Sequence, residues 1–240
     1  MMLFKLQRGV IPACDFREID KFESLVRSTF DIKGIVGYKI GFSLGLKYGL
    51  AKIVNVSEKY TDTPIIYDHQ KGGTDIPEMG KIFANTCAEA GVRGVIIFPQ
   101  SGPMTEESFI NSLNDEKLVP IVGGEMTHPK FLEKDGGFIR DSAPKDIYQI
   151  AAKMGVDHFV MPGNNLNSII KYHKLISEMV KNPKYCMPGI GRQGGKISSA
   201  LELLGNHQAY AIIGSAIYDQ ENVHKAAEEF CLQMISKRGN

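Results

Sequence analysis

Apolar positions along this chain fall into short, nearly continuous runs separated by longer stretches in which they recur every three or four residues. The runs are 9–14 (GVIPAC), 35–41 (IVGYKIG), 64–67 (PIIY), 93–98 (RGVIIF), 118–122 (LVPIV), 157–161 (DHFVM), 184–187 (KYCM) and 210–214 (YAIIG). They are rich in Ile, Val and aromatic residues and do not alternate strictly with polar ones. That pattern predicts strands buried on both faces, as in a parallel sheet. The longer stretches carry a helical period. Val223, Ala226, Ala227, Phe230 and Met234 lie at i, i+3, i+4, i+7 and i+11, and Phe22, Leu25 and Val26 repeat the theme near the start. Segments 77–90, 105–114, 144–154, 164–180 and 194–205 also predict helices, with Pro77 and Pro144 suited to a first turn.

Strand and helix alternate, so the chain is expected to be built of βα units. Eight such units in 240 residues predict an α/β fold, a (β/α)8 TIM barrel forming one domain over residues 1–240. An open doubly wound sheet is the competing architecture, and eight units match closure better. The sequence shows no linker, no low-complexity tract and no strong internal repeat.

Composition narrows the function classes. A hydrophobic share of 43% supports a large core, and a net charge of +1 gives no electrostatic case for nucleic acid or an acidic membrane surface. The four cysteines, Cys14, Cys87, Cys186 and Cys231, have no metal-type spacing and read as reduced, buried thiols of a cytoplasmic protein. No signal peptide and no apolar run of transmembrane length is recognised.

In a (β/α)8 barrel the site is built where strands end at the C-terminal face. Strand one ends in Asp15, strand two carries Lys39 before Gly41, and strand three runs into "DHQKGGTDIP" with Asp68, His69, Lys71 and Asp75. A lysine on a core strand needs a carboxylate or water beside its ammonium, or burial would neutralise it. Alternating acid and base at neighbouring strand ends supplies those partners. It yields either a charge network poised to donate a proton or a salt-bridge cluster that only closes the barrel top. Strand seven runs into "MPGIGRQGGK", residues 187–196, where glycines around Arg192 let backbone amides approach an anion. The loops after strands seven and eight often hold phosphate in barrels, which predicts a small phosphorylated substrate.

These motifs together resemble the orotidine 5′-monophosphate decarboxylase family over about residues 10–220. The resemblance rests on Asp15, Lys39, "DHQKGGTDIP", "MTHP" within 126–129 and "PGIGRQGG" within 188–195. It implies a cofactor-free, metal-free homodimer that converts orotidine 5′-monophosphate to uridine 5′-monophosphate and carbon dioxide in de novo pyrimidine synthesis. By the same resemblance Asp68 lies against the substrate carboxylate, Lys71 protonates the carbon left behind, and Asp75 reaches in from the other subunit. Lys39 bridges the aspartates and the ribose, and Asp15 binds a ribose hydroxyl. Thr127 meets the pyrimidine edge, Gln193 spans phosphate and base, and Gly191, Gly194, Gly214 and Ser215 belong to the substrate-binding loops. No nucleic-acid or membrane partner is expected.

Two features depart from the family pattern. The acid–lysine–acid spacing, Asp68 to Lys71 to Asp75, is one residue longer on each side than the usual Asp-x-Lys-x-x-Asp. Either a bulge absorbs the extra residues, with Gly72 and Gly73 permitting unusual backbone angles, or Lys71 is displaced and His69 or Gln70 enters. His69 itself reads first as a loop histidine. The arginine expected after strand eight is also missing: the chain has Gly214-Ser215-Ala216. Arg192 is expected to take over its contact with phosphate. Segment 133–143 reads equally as a lid or a plain surface turn. Two other functions compete: a metal-dependent sugar-phosphate decarboxylase or aldolase on the same barrel, and a pyrimidine-nucleotide-binding barrel without catalysis. The first carries an acidic metal ligand where Lys39 stands.

Overall fold

The computed structural model describes residues 2–69 and 72–236. Its eight strands are β1 (Arg8–Cys14), β2 (Tyr38–Ile40), β3 (Ile65–Asp68), β4 (Gly94–Ile97), β5 (Val119–Gly123), β6 (His158–Val160), β7 (Lys184–Met187) and β8 (Gln208–Ile213). They pair in sequence order, all parallel, and β1 closes on β8. The expected (β/α)8 barrel is therefore the observed fold.

Around it lie α1 (Ile19–Thr29), α2 (Phe42–Tyr48), α3 (Leu50–Glu58), α4 (Met79–Glu89), α5 (Pro103–Asp115), α6 (Ala143–Lys153), α7 (Leu166–Met179), α8 (Ile197–Leu204), α9 (Ser215–Tyr218) and α10 (Val223–Ser236). The helices form where the period places apolar residues on one face. In α1, Phe22, Leu25, Val26 and Thr29 are the buried positions. Pro103 opens α5 and Pro144 lies in the first turn of α6. Pro77 instead precedes α4, in a turn where its carbonyl accepts from Gly80 N–H at 3.1 Å.

Strand residues alternate between two cores. Outward-facing Tyr38, Ile40 and Tyr67 join the layer between sheet and helices. Inward-facing Ala13, Ile66, Ile96, Phe98 and Ile121 fill the barrel. Leu3 and Phe4 plug its N-terminal end, where the Phe4 ring lies 4.2 Å from that of Tyr210. The filled bottom leaves the C-terminal end as the open mouth. Alternation also fixes the site: Lys39 pairs in register with inward Ala13 and Ile66, and Asp68 lies two residues past Ile66 on the same face.

The stretch 42–58 carries two helices that the apolar pattern does not mark. Phe42 and Leu46 are exposed, and Gly49, at φ +77°, separates α2 from α3. Segment 133–143 contains a short 3-10 turn at Glu133–Asp135 and presents a fully exposed Phe138.

Candidate active site

Three adjacent strands build the charged centre. Lys39, only 6% exposed, rises from the interior face of β2. Its Nζ lies 2.9 Å from Asp68 Oδ2 at the end of β3 and 3.0 Å from Asp15 Oδ1 just beyond β1. Burial by itself would lower the lysine's pKa, but the two carboxylates outweigh it and the net shift is upward. Lys39 is thus held as an ammonium. Among the described residues, buried Asp68 Oδ1 has no hydrogen-bond partner.

A cavity of about 270 Å³ opens above this centre. Asp15, Lys39, Asp68, Thr127, Arg192, Gln193, Gly214 and Ser215 all line it, so the structure brings together most of the residues that the sequence singles out. Ile96, Phe98, Val160 and Ile212 supply an apolar wall. The charged centre and the strand-seven loop therefore face one space.

Lys71, with Gln70, lies outside the described residues. Gly72 N–H donates to the His69 carbonyl at 2.6 Å, and Phe98 N–H donates to the Gly72 carbonyl at 2.8 Å. These bonds fasten Gly72 to the edge of β4. Gly73 continues at φ +82°, where an added side chain would meet Pro99 at 2.9 Å. The two glycines thus occupy positions that suit glycine. His69 turns away from the cavity: its Nδ1 is 2.7 Å from Tyr67 Oη, and its ring packs near Phe83 of α4.

Asp75 does not line the cavity of its own chain. It is exposed, its Oδ1 accepts from Ile76 N–H at 2.7 Å, and Thr105 Oγ1 donates to its carbonyl at 2.8 Å. Gly191 and Gly194 also stay outside the cavity wall. Each has φ +88°, and they shape the turn that presents Arg192 and Gln193. Gly195 is fixed by crowding, since a side chain there would meet Gly163 O at 2.6 Å and Gly189 O at 2.7 Å. Arg192 Nη1 lies 3.5 Å from Asp219 Oδ2, and Lys21 Nζ lies 3.2 Å from Asp219 Oδ1.

Sequence reasoning missed Glu125, which also lines the cavity. Ser168 Oγ donates to its Oε1 at 2.8 Å, and Tyr172 Oη donates to its Oε2. Both donors sit on α7, which Asn165 caps by accepting from Ser168 N–H at 3.1 Å. The partners lie more than forty positions downstream, so no local pattern announces them. The cysteines are free and buried, and burial raises the thiol pKa of Cys87, Cys186 and Cys231 to about 12. Among the described residues, no group of three or more His, Cys, Asp or Glu side chains could hold a metal ion, and no helix is long and apolar enough to cross a membrane.

A closed parallel barrel with a buried ammonium between two acids at its mouth, facing a glycine-rich loop, defines a (β/α)8 enzyme with an anionic small-molecule site. The chain belongs to the orotidine 5′-phosphate decarboxylase / HUMPS family, whose pattern matches residues 9–230. The orotidine 5′-phosphate decarboxylase of Methanococcus maripaludis is 32% identical over 197 residues, covering 82% of this chain and 84% of that protein. The enzyme of the same name from Pyrococcus abyssi is 30% identical and covers 92% of this chain and 96% of its own. In fold, the chain is similar to the crystal structure of orotidine 5′-monophosphate decarboxylase from Methanocaldococcus jannaschii complexed with the inhibitor BMP. That match has a TM-score of 0.82 at 23% identity and covers 95% and 98% of the two chains. The enzyme from Pyrococcus horikoshii gives a TM-score of 0.76 at 25% identity, covering 93% of this chain and 98% of that one.

Proposed function

We propose that this chain decarboxylates orotidine 5′-monophosphate to uridine 5′-monophosphate and carbon dioxide. The observation that carries the reading is the Asp15–Lys39–Asp68 centre set in one cavity with Thr127, Gln193 and Arg192. Loss of carbon dioxide from a ring carbon without an electron sink leaves an unstabilised carbanion. The protein must then supply fixed charge where negative charge develops. In this reading Asp68 sits beside the substrate carboxylate and Lys71 delivers the proton to the carbon. Lys39 bridges Asp15 and Asp68 and reaches the ribose. Thr127 reads the pyrimidine edge, and Gln193 and Arg192 take the phosphate together with Gly214 and Ser215.

The protein acts as a homodimer in the cytoplasm, with Asp75 completing the site of the second copy. Its exposure outside its own cavity, beside exposed Ile76, supports that placement. The decisive assay follows loss of orotate absorbance with purified protein and orotidine 5′-monophosphate, with and without excess chelator. Equal turnover in both supports a metal-free lyase. No turnover of orotidine 5′-monophosphate, together with chelator-sensitive activity on a sugar phosphate, points to the sugar-phosphate branch of the barrel. Binding of uridine 5′-monophosphate without turnover leaves a binding protein.

A further inference from the structure

Asn164 stands between β6 and α7, at the junction of two loops that line the cavity. Its Nδ2 donates to the Thr127 carbonyl at 3.3 Å, across 37 positions of sequence. Among the described residues, its buried Oδ1 has no hydrogen-bond partner. A buried carboxamide oxygen without a donor is costly, so such an atom calls for a partner that arrives in another state of the site.

Gly189 shows where that partner stands. A side chain begun at Gly189 would meet Asn164 Oδ1 and Gln193 Oε1, each at 3.1 Å. The two carboxamides therefore flank the same point, one from the loop between β6 and α7 and one from the strand-seven loop. The loops are already joined by backbone beneath them, since Gly163 N–H donates to the Pro188 carbonyl at 2.7 Å. Gln193 itself is exposed and lines the cavity. Its carboxamide carries a donor and an acceptor, and a half-turn about its last bond exchanges them.

We infer that Asn164 is a positioning residue that couples the two halves of the site. Its Nδ2 holds Thr127 in place, and its Oδ1 accepts a hydrogen bond from Gln193 Nε2 when the loop closes on a phosphate. A phosphate drawing in the 188–195 loop then also stiffens the turn that meets the pyrimidine. This inference rests on the nucleotide reading of the cavity.

The test is a double-mutant cycle read by calorimetry with uridine 5′-monophosphate and with uridine. Asn164→Ala and Gln193→Ala should each weaken uridine 5′-monophosphate by about threefold to tenfold, the usual worth of one net hydrogen bond. The double variant should lose no more than the worse single one. Uridine, which has no phosphate to close the loop, should show no such coupling. A thermal melt guards against a folding defect: Asn164→Ala should melt within a few degrees of the parent while losing the coupling. Additive losses, or an Asn164→Ala protein that binds like the parent, overturn the inference. A parent protein that fails to bind uridine 5′-monophosphate at all overturns the nucleotide reading instead.

Discussion

Lys39 Nζ and Asp68 Oδ2 meet at 2.9 Å across the β2–β3 register, with both side chains turned into the barrel. The Lys39 side chain is 7% exposed and that of Asp68 10%, whereas that of Asp15 is 51% exposed. The two acids are therefore not equivalent. Asp68 shares the lysine's desolvation, while Asp15 remains in contact with water.

That asymmetry predicts unequal costs. Lys39→Met should destabilise the protein by about 3–5 kcal/mol, because it strands Asp68 as a buried charge. Asp15→Asn should cost about 1 kcal/mol or less, since Asp68 still holds the lysine and the lost partner is solvated. Urea unfolding of both variants checks the order. The lysine's raised pKa stabilises the fold below the ordinary lysine pKa and is lost only as pH climbs through the higher folded value. The lysine's own contribution should accordingly not change from pH 6 to 9.

Arg192 stands near Asp219 at the cavity rim, an exposed pairing at 3.5 Å that costs little to break. A phosphate can therefore recruit the guanidinium at small penalty. Arg192→Ala should raise the KM for orotidine 5′-monophosphate by about tenfold or more, the scale of one charge-assisted contact. Uridine affinity should change by less than about twofold. Equal losses for both ligands would remove Arg192 from the phosphate subsite.

Gly195 tests the shape of the same loop. Its missing side chain is what lets the carbonyls of Gly163 and Gly189 approach. These are backbone atoms and cannot rotate away, so Gly195→Ala must push the 188–195 loop out of position. Affinity for uridine 5′-monophosphate should fall by at least about tenfold, because loop placement sets the phosphate contacts. Nucleotide titration beside a thermal melt separates this local effect from global loss: the melting temperature should move by only a few degrees.

The parts of this molecule legible in sequence are those dictated by local chemistry. Continuous apolar runs locate the strands because parallel strands are buried on both faces. Lys39 announces a charged centre because an ammonium on such a strand needs partners. The pair of helices over 42–58 stays hidden because Phe42 and Leu46 face outward and Leu44 is the only buried residue of the first. Glu125 and Asn164 stay hidden for a different reason. Their partners, Ser168, Tyr172 and Thr127, meet them only after the barrel closes. Asp75 reads as part of the charge cluster, yet the strand ends before it and leaves it outside its own cavity.

Glu106, on the buried face of α5, yields a pH prediction far from the charged centre. It is 1% exposed, and among the described residues its Oε1 has no hydrogen-bond partner. Burial, aided by the charge of Glu107, pushes its pKa up to about 8. The folded protein therefore keeps a proton there that the unfolded chain releases at its ordinary value near 4.5. Between those values the folded state binds more protons than the unfolded one, so this group's contribution falls as pH rises. Above about pH 8 both states are ionised and the contribution levels off. Glu106→Gln removes the titration while keeping the shape. The variant should match the parent near pH 5 to within about 1 kcal/mol, and exceed it near pH 8 by about 2–4 kcal/mol. Urea midpoints measured at unit steps from pH 5 to 9 follow the divergence. Parallel curves for the two proteins would mean that Glu106 stays ionised in the fold and draws water or a donor to the unpartnered oxygen.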